Sequence, residues 1–524
     1  MKTNETKFVE EEYYASSEDS GYVEEYAEYV PAETPWWMQK AVPLMMSLGF
    51  HGIIAWGLTF CLFTIIKPKV EAAILTKREF KEQEFDNNAK IGMIKTPDIE
   101  SDIIVDIPIL NLKEEVDIAI DIPRGTSLHN LSDKNLDSTS CVDAYGLGAG
   151  RAGAYGSRWG KGSLLTNEGG SPGTESAVTA ALRWLHFHQN KDDGHWDQDG
   201  FSKNCDSKLG PACDNPNGSA NQFDVAVTSL ALLAFLGHGH THCVGEFKTT
   251  VRKGLDWLQK QQESDGCFSG GRQAESWIYN HALATMAICE AYAVSRDPRL
   301  KDPAQRAVDY IRNAQNPGLG WKYDPKSGLN DTSVTGWMVL ALKAASTANL
   351  NVDKQMFEGA IAWFERATNT SGKTGYMRPG DDGSIIRGVN DNKYDKLPTM
   401  TSVGVICRIF CGQSRKNSSI TKAVDDILMK NLPEWNKPGN NKVDFYYWYY
   451  ATYAMFQYGG DKWASWNEAM KKALVGTQRI GGCVAGSWDP IDKWGMVGGR
   501  VYSTALNCLT LEIYYRYARQ NIGH

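Results

Sequence analysis

The sequence predicts an all-α domain over residues 174–524, folded as a ring of six helical hairpins, an (α/α)6 toroid. Three observations lead to this prediction: helical segments of two kinds alternate strictly, the alternation occurs six times, and its period is roughly 55 residues. A helix that is apolar on all sides must be buried, whereas a one-sided helix can cover it. Amphipathic helices outside and apolar helices inside therefore close into a ring around a central cavity.

The amphipathic segments, expected on the outside, carry their charges on one face. They are Ala177–Gln189, Val251–Gln262, Ala304–Gln315, Met356–Thr368, Lys422–Trp435 and Trp466–Gln478. The inner segments consist almost wholly of small or apolar residues. They are Val225–Gly237, His281–Val294, Val334–Ala345, Ser402–Cys411, Tyr446–Tyr458 and Thr504–Tyr517. The 17 Trp and 23 Tyr of the chain fit such a ring, because aromatics in this number need large contact surfaces or a lined cavity.

The regions before the ring differ from it in composition. Residues 1–40 form an acidic tail, predicted to be disordered, whose ten acidic and three basic side chains account for the whole net charge of −7. The near-neutral remainder excludes a nucleic-acid-binding surface. Residues 67–173 are predicted to form an extended stalk, with local period-two strand patterns, followed by a glycine-rich linker.

Residues 41–66 are predicted to form a single transmembrane helix. The stretch contains no Asp, Glu, Lys or Arg, and it is longer than the roughly 20 apolar residues that cross a bilayer core. Trp36, Trp37 and Lys40 precede it and Lys67 follows it, as interfacial anchors do. A buried core helix is the alternative.

Two signals for the membrane side of the ring point in opposite directions. Lys40 is the one basic residue close before the span, whereas five follow it: Lys67, Lys69, Lys77, Arg78 and Lys81. This excess favours a cytoplasmic ring. Cys205 and Cys213 bracket a polar loop in a way that suits a disulfide and hence an oxidising compartment, although a free pair fits as well. We expect the ring to lie on the extracytoplasmic side.

A recurring Gln, Gly and aromatic residue follows the outer segments. The complete copies are Gln189, Gly194 and Trp196; Gln262, Gly266 and Phe268; and Gln315, Gly320 and Trp321. A fourth, degenerate copy keeps Gly375 and Tyr376 but has Thr368 in place of the Gln. The Gln amide is expected to satisfy helix-end groups while the aromatic covers the turn. These motifs resemble the Gln-Trp repeats of squalene and oxidosqualene cyclases, and the resemblance covers residues 174–517.

The chain as a whole is similar to the membrane-anchored squalene-cyclase-repeat proteins of planctomycete-type bacteria, which lack an assigned activity. They belong to the terpenoid cyclase and protein prenyltransferase-like toroids. Further segments carry this likeness beyond the repeats: residues 279–281, 328–337, 447–450 with 455–457, and 498–505. The resemblance implies an architecture and no particular reaction, because one fold hosts many functions.

The catalytic motifs of these enzymes are altered here. Class II cyclases protonate an alkene with an Asp of Asp-x-Asp-Asp-Thr, and the similar segment of this chain has Asn330 at the donor position, followed by Asp331. Asn330 has no acidic proton, and Asp331 suits a helix N-cap. Prenyltransferases bind zinc through Asp, Cys and His. Asp265, Cys267 and His281 are residues of these three types, but Asp265 is already accounted for by the turn of a repeat. We therefore predict that the protein does not cyclise squalene.

The densest metal-like cluster is a run of three histidines and a cysteine after the first inner helix. Its members, His238, His240, His242 and Cys243, are weak candidate ligands, because residues two apart rarely converge on one ion. Histidines at this place can also meet the negative end of the helix. We assign no metal and no cofactor.

Candidate ligand-binding residues gather at the amino-terminal ends of the inner helices. They are Tyr279, Asn280, His281, Asp331, Asp444, Tyr447, Trp448, Arg500 and Tyr502. Helix N-termini offer unpaired amides and a positive potential to polar ligand groups. The aromatic faces suit isoprenoids, sugars or peptide side chains. The alternative is that these residues cap helices and seal the ring.

The sequence therefore predicts a membrane-tethered toroid that binds an apolar, isoprenoid-like small molecule or a partner protein segment in an aromatic cavity. A terpenoid cyclase or prenyltransferase-type enzyme with a non-standard site is the first alternative, and a structural cell-envelope interaction module is the second. No catalytic residue is assigned, and enzymatic activity is left open.

Overall fold

The computed structural model describes Arg158, Leu165 and residues 167–213, 222–272, 276–382, 396–435 and 442–516. Over these residues the all-α prediction is confirmed, since the one β feature is an isolated bridge between Thr368 and Thr374. The predicted tail, the predicted membrane span at 41–66 and most of the predicted stalk lie outside the described residues. In the part that is described, no helix has the length and apolar character needed to cross a membrane.

Six largely apolar helices form the inner layer. They are α2 (Asp224–Gly237), α4 (Ile278–Ser295), α6 (Thr332–Thr347), α8 (Thr399–Phe410), α10 (Phe445–Tyr458) and α12 (Gly495–Leu511). Each packs against the next in chain order, and α12 packs against α2. The inner helices therefore close into a ring, and their almost complete burial explains why their sequences are apolar on all sides.

The outer layer consists of one helix per pair. Its members are α1 (Pro172–His188), α3 (Lys248–Lys260), α5 (Pro298–Ala314), α7 (Lys354–Ala367), α9 (Ser418–Lys422) and α11 (Gly460–Val475). Each outer helix exposes a polar face, and α1 packs against α11, so the outer layer also returns to its start. A short helix, α13 (Ile513–Arg516), follows α12.

Most helices begin a few residues before the predicted start, and two elements also differ in their helical geometry. The fifth outer helix, predicted over Lys422–Trp435, begins at Ser418 and continues as a π-helical and a 3-10 turn to Lys430, before Pro433. The last inner helix begins at Gly495, not at Thr504, and bends at Gly499, where φ is 66°. A Cβ atom on Gly499 would lie 2.7 Å from the carbonyl oxygen of Gln198, so this bend requires glycine.

Three repeated glutamines each tie their outer helix to the next one in the chain. In every copy, the side-chain Nε2 donates to one carbonyl of its own loop and to one carbonyl of the following outer helix. The pairs of acceptors are Gly194 and Thr250 for Gln189, Gly266 and Pro303 for Gln262, and Leu319 and Met356 for Gln315, at 2.7–3.1 Å. The expected role in satisfying groups near helix ends is thus observed, and its partners are carbonyls of two neighbouring repeats.

A further copy, absent from the repeats recognised in the sequence, closes the outer layer. Gln478 donates to Gly486 O in its own loop and to Ala177 O in α1, each at 2.8 Å. Trp488 follows at the aromatic position, and its indole N–H donates to Leu474 O at 2.9 Å. The indole N–H groups of Trp196 and Trp321 make the equivalent bond to Leu185 O and Ile311 O, both at 2.8 Å.

A buried ion cluster fills the ring at the carboxyl ends of the inner helices. Arg158 and Arg516 both bind the Glu290 carboxylate, at 2.9 and 3.0 Å, and all three side chains are fully buried. Arg158 also donates to Leu236 O and Arg516 to Leu233 O, at the end of α2. Because the buried charges are paired and hydrogen-bonded, they can be accommodated away from water at this end of the ring.

Candidate functional site

A cavity of about 340 Å³ lies among the amino-terminal ends of five inner helices. The apolar part of its wall is formed by Phe223, Ala226, Val227, Leu230, Leu283, Trp337, Trp494 and Val497. Its polar part is formed by Gln222, Ser276, Tyr279, Tyr323, Ser333, Tyr446 and Tyr502. Both its size and its mostly apolar wall are typical of small-molecule sites.

A chain of hydroxyl groups crosses this wall and joins three inner helices. Tyr279 donates to Ser333 Oγ at 2.8 Å, and Ser333 Oγ shares a hydrogen bond with the Tyr446 hydroxyl at 2.9 Å. Burial raises the pKa of both phenols above the ordinary tyrosine value, so they are neutral hydrogen-bonding groups at physiological pH. The chain gives an otherwise apolar wall one place where a polar ligand group can be recognised.

Trp337 of α6 forms a flat aromatic face beside this hydroxyl chain. Its ring stacks on Tyr446 with centroids 5.8 Å apart and on Tyr449 with centroids 5.7 Å apart, while Tyr450 meets its ring edge-on at 5.1 Å. Tyr450 and Tyr449 are fully buried behind it. The indole is thereby fixed in orientation, which lowers the entropy that a ligand would lose by ordering it.

A smaller polar pocket of about 100 Å³ adjoins the cavity. It shares Ser276, Tyr279, Tyr323, Ser333 and Trp494 with the cavity wall. Its remaining wall includes the ion pair of Lys373 with Asp382. It also includes Lys493, whose ammonium group binds Asp444, outside the wall, at 3.2 Å. The apolar cavity therefore passes into a charged vestibule at one side.

Two of the nine predicted ligand-binding residues, Tyr279 and Tyr502, lie in the cavity wall. Both are half-buried tyrosines, and desolvation raises the pKa of each phenol. The other seven lie outside the described wall, where each has a hydrogen-bonding or packing role. Ligand binding by any of the nine remains a prediction.

Asn280 and His281 face away from the cavity and hold loops in place. Asn280 donates to Gln222 O and Ser269 O, at 2.8 and 2.7 Å, and accepts from Ala226 N. His281 Nδ1 accepts from Phe268 N at 3.2 Å. Burial lowers the pKa of His281 to about 3, so the imidazole is neutral.

Asp331 and Asp444 are helix N-caps. For Asp331, this role was the alternative predicted from the sequence. Asp331 accepts from Val334 N at 2.7 Å at the start of α6, and Asp444 accepts from Tyr447 N at 2.9 Å at the start of α10. Asp444 also accepts from the Thr399 hydroxyl of α8. The capping carboxylates satisfy amides that would otherwise be unpaired.

The remaining three predicted residues contact the outer layer and the last loop. Tyr447 donates to Asn431 O at 2.8 Å, Trp448 packs against Trp435, and Arg500 binds Asp489 at 2.7 Å. Successive residues of a helix point in directions about 100° apart. For this reason only Tyr446 of the aromatic run at the start of α10 reaches the described cavity wall.

Several wall residues, Trp337 and Tyr446 among them, were not among the nine candidates named from the sequence. A helical spacing could have indicated them: Tyr279 and Leu283, and likewise Ser333 and Trp337, are four residues apart and share one face of their helices. The sequence does not say which face of a uniformly apolar helix points to the ring centre. That choice is made by packing.

The four weak metal candidates do not converge in the structure. His238 and His240 contact each other through Nδ1 and Nε2 at 3.1 Å, His242 Nε2 contacts Asp297 at 2.9 Å, and Cys243 is exposed. Asp265, Cys267 and His281 are also engaged separately, since Asp265 binds Arg272 while His281 accepts from Phe268 N. Neither set therefore presents a ready ligand cage.

Residues 176–375 match the protein family described as the squalene-hopene cyclase C-terminal domain. No curated protein matches the chain. Solved structures with a similar course of chain include a type II terpene cyclase, MstE from Scytonema, with 11% identity and a TM-score of 0.42, over 65% of this chain and 97% of that one.

Two glycan-active proteins are equally similar in shape. They are an inactive variant of the α-1,6-mannanase GH76A of Salegentibacter sp. (11% identity, TM-score 0.41, 65% and 98% coverage) and the cellobiose 2-epimerase from Bacillus thermoamylovorans (13% identity, TM-score 0.43, 64% and 96% coverage). Likeness at this level carries no argument about ligand or activity. The matched segment, the glutamine–aromatic repeats and the closed ring of helix pairs make this toroid similar to the squalene-cyclase family.

Proposed function

We propose that the toroid binds an apolar, isoprenoid-like ligand in the cavity at the amino-terminal ends of its inner helices. One observation carries the proposal: the described wall consists of aromatic, aliphatic and hydroxyl side chains with one amide and one glycine, and it contains no Asp, Glu, His, Lys, Arg or Cys. Such a wall favours a hydrocarbon chain over a charged ligand, because burying an unpaired charge there would be costly. The match to the squalene-hopene cyclase family supports the isoprenoid class, since squalene is an isoprenoid hydrocarbon.

The polar features beside the cavity favour a ligand with one polar end. Tyr279, Ser333 and Tyr446 offer hydroxyl groups at the wall, and the charged vestibule lies next to them. An isoprenoid alcohol would place its chain against Trp337 and its hydroxyl against this chain of hydroxyl groups. A partner protein segment is the alternative occupant, and it would insert apolar side chains at the same place.

Residues 41–66 are proposed to tether the toroid to a membrane, on the evidence of their length and lack of charge. An isoprenoid ligand suits this location, because such molecules partition into bilayers. The extracytoplasmic side is the proposal for the toroid if Cys205 and Cys213 are oxidised. Reduced thiols would favour the cytoplasmic side, which the basic residues after the span also favour.

One observation favours an enzyme as a second candidate. Burial raises the pKa of Asp331 to about 7, so a substantial fraction of this carboxyl group is protonated at neutral pH. Asp331 is adjacent in sequence to Asn330, which stands at the family's proton-donor position. However, Asp331 caps α6 and lies outside the described cavity wall, so binding is the function better supported.

The ligand can be sought directly by extracting lipids from the purified full-length protein and analysing them by mass spectrometry. Leu283 lies in the cavity wall and is buried, so Leu283→Trp should fill the cavity. Leu329 is 54% exposed, so Leu329→Trp makes the same chemical change on the surface. We expect an isoprenoid lipid to co-purify with the wild type and with Leu329→Trp, and not with Leu283→Trp. Equal lipid recovery from all three proteins would contradict the proposal.

A further inference from the structure

Three cysteines and one histidine, from parts of the chain far apart in sequence, converge near the outer edge of the ring. His188 ends α1, Cys205 and Cys213 flank the loop that follows, and Cys483 lies in the loop between α11 and α12. Their four ligand atoms all lie within 4.8 Å of one another. We refer to His188, Cys205, Cys213 and Cys483 as the Cys3His cluster.

The distances in the cluster fit a tetrahedral metal site. His188 Nε2 lies 3.5 Å from Cys205 Sγ, 3.4 Å from Cys213 Sγ and 3.4 Å from Cys483 Sγ. A tetrahedral zinc ion, with Zn–S near 2.3 Å and Zn–N near 2.0–2.1 Å, would set each sulfur about 3.5 Å from the nitrogen. Hydrogen bonding alone does not account for the arrangement, since one imidazole lone pair cannot accept from three thiols.

The histidine is held in the tautomer that a metal requires. Its Nδ1 lies 2.8 Å from the Trp184 carbonyl oxygen, to which it donates, so the lone pair is on Nε2, toward the sulfurs. The Trp184 ring stacks on the imidazole with centroids 4.2 Å apart, which fixes its plane.

The surroundings are those of a closed site. His188, Cys213 and Cys483 are buried, and Cys205 is half-buried. The Cys213 amide donates to Cys205 Sγ at 3.2 Å. Four protein ligands leave no open position, which is typical of structural zinc and not of catalytic zinc. Three thiolates with one imidazole are a donor set that zinc prefers.

We propose that the Cys3His cluster binds one zinc ion, which fastens the last helical pair of the ring to the first. Residues 188 and 483 are 295 positions apart, and they meet where the ring closes. Nearby, Gly486 packs so closely on α1 that a Cβ there would lie 2.2 Å from Ala180 O. The zinc ion crosslinks the first and the last helical pair at the place where the ring closes.

The disulfide considered from the sequence is the competing state of the same residues. Cys205 and Cys213 are both free thiols in the structure. A disulfide between them would leave Cys483 and His188 without the partner that explains their position. The two states exclude each other, because a zinc site needs all three sulfurs as thiolates.

The proposal is tested on the full-length protein, purified in detergent with reductant and without added metal. Elemental analysis is expected to find about one zinc per chain, in keeping with a four-ligand site. Cys483→Ser should lose this zinc, whereas Cys267→Ser, a buried cysteine outside the cluster, should retain it. Zinc that stays with Cys483→Ser, or leaves with Cys267→Ser, would place the metal elsewhere and overturn the proposal.

A second measurement covers the case in which Cys483→Ser fails to fold. Wild-type protein stripped by a chelator is titrated with cobalt(II), whose absorption reports coordination directly. We expect the intense bands of tetrahedral cobalt with thiolate charge transfer, together with a higher unfolding temperature than that of the stripped protein. Octahedral cobalt bands alone, iron in place of zinc, or a Cys205–Cys213 disulfide in protein kept under reductant would contradict the proposal.

Discussion

The side-chain amide of Gln478 donates a hydrogen bond to the carbonyl oxygen of Ala177 at 2.8 Å, across 301 residues of chain. The same bond, between a repeat glutamine and the next outer helix, occurs three more times within the ring. The closure of the ring therefore uses the contact that also propagates it. The recurrence made three of these four glutamines visible in the sequence, whereas their partners are backbone carbonyls, which have no sequence signature.

Replacing Gln478 by Ala should destabilise the protein about as much as replacing Gln315, because both changes leave two carbonyls without their donor. The expected loss is about 1–3 kcal/mol in the free energy of unfolding, measured by chemical denaturation. Gln355→Ala, at an exposed position of α7, is the control and should have little effect. If Gln478→Ala behaved like this control, the ring would not be closed by this contact.

The pKa of Asp331 predicts a pH dependence of stability. Burial raises it to about 7 in the folded protein, whereas an unfolded Asp titrates near 3.9. Between these values the folded state holds a proton that the unfolded chain has released, so the stability contributed by this group falls as pH rises through the window. Asn is neutral throughout and can also cap a helix. The unfolding temperature of Asp331→Asn relative to the wild type should therefore rise from about pH 5 to about pH 8; parallel profiles would contradict the assignment.

Cyclisation of squalene is not expected, because Asn330 occupies the donor position and cannot supply an acidic proton. Its side-chain oxygen accepts a hydrogen bond from Asn316 at 3.1 Å, so it acts as a structural amide. Incubation with squalene or oxidosqualene, followed by gas chromatography, should yield no polycyclic product. A product that disappears in Asp331→Asn would instead identify Asp331 as the acid and favour the enzyme alternative.

The membrane tether has a direct test. The full-length protein should remain in the membrane pellet after carbonate extraction, and a variant lacking residues 1–66 should not. Protease treatment of intact cells then reports the side: digestion of the toroid means an extracytoplasmic domain. Recovery of the full-length protein in the soluble carbonate fraction would contradict the tether.

The architecture followed from the sequence because it depends on which residues are apolar, and the period of that pattern is local information. The candidate site could not be predicted in the same way, because it depends on the direction in which each side chain points. Asn280 and Tyr279 are neighbours in the chain, yet Tyr279 faces the cavity and Asn280 binds the loop carbonyls of Gln222 and Ser269. A uniformly apolar helix gives no signal for its inward face. The Cys3His cluster was missed for a related reason, since its first and last ligands, His188 and Cys483, lie 295 residues apart and the ring alone brings them together.

The most direct test of the central claim is a binding titration of the full-length protein with geranylgeraniol, a C20 isoprenoid alcohol, followed by tryptophan fluorescence at constant detergent. The account predicts saturable binding by the wild type and by Leu329→Trp. It predicts binding at least about tenfold weaker by Leu283→Trp, a loss of about 1.4 kcal/mol or more. Unsaturable binding by the wild type, or equal affinity of the two tryptophan variants, would contradict it.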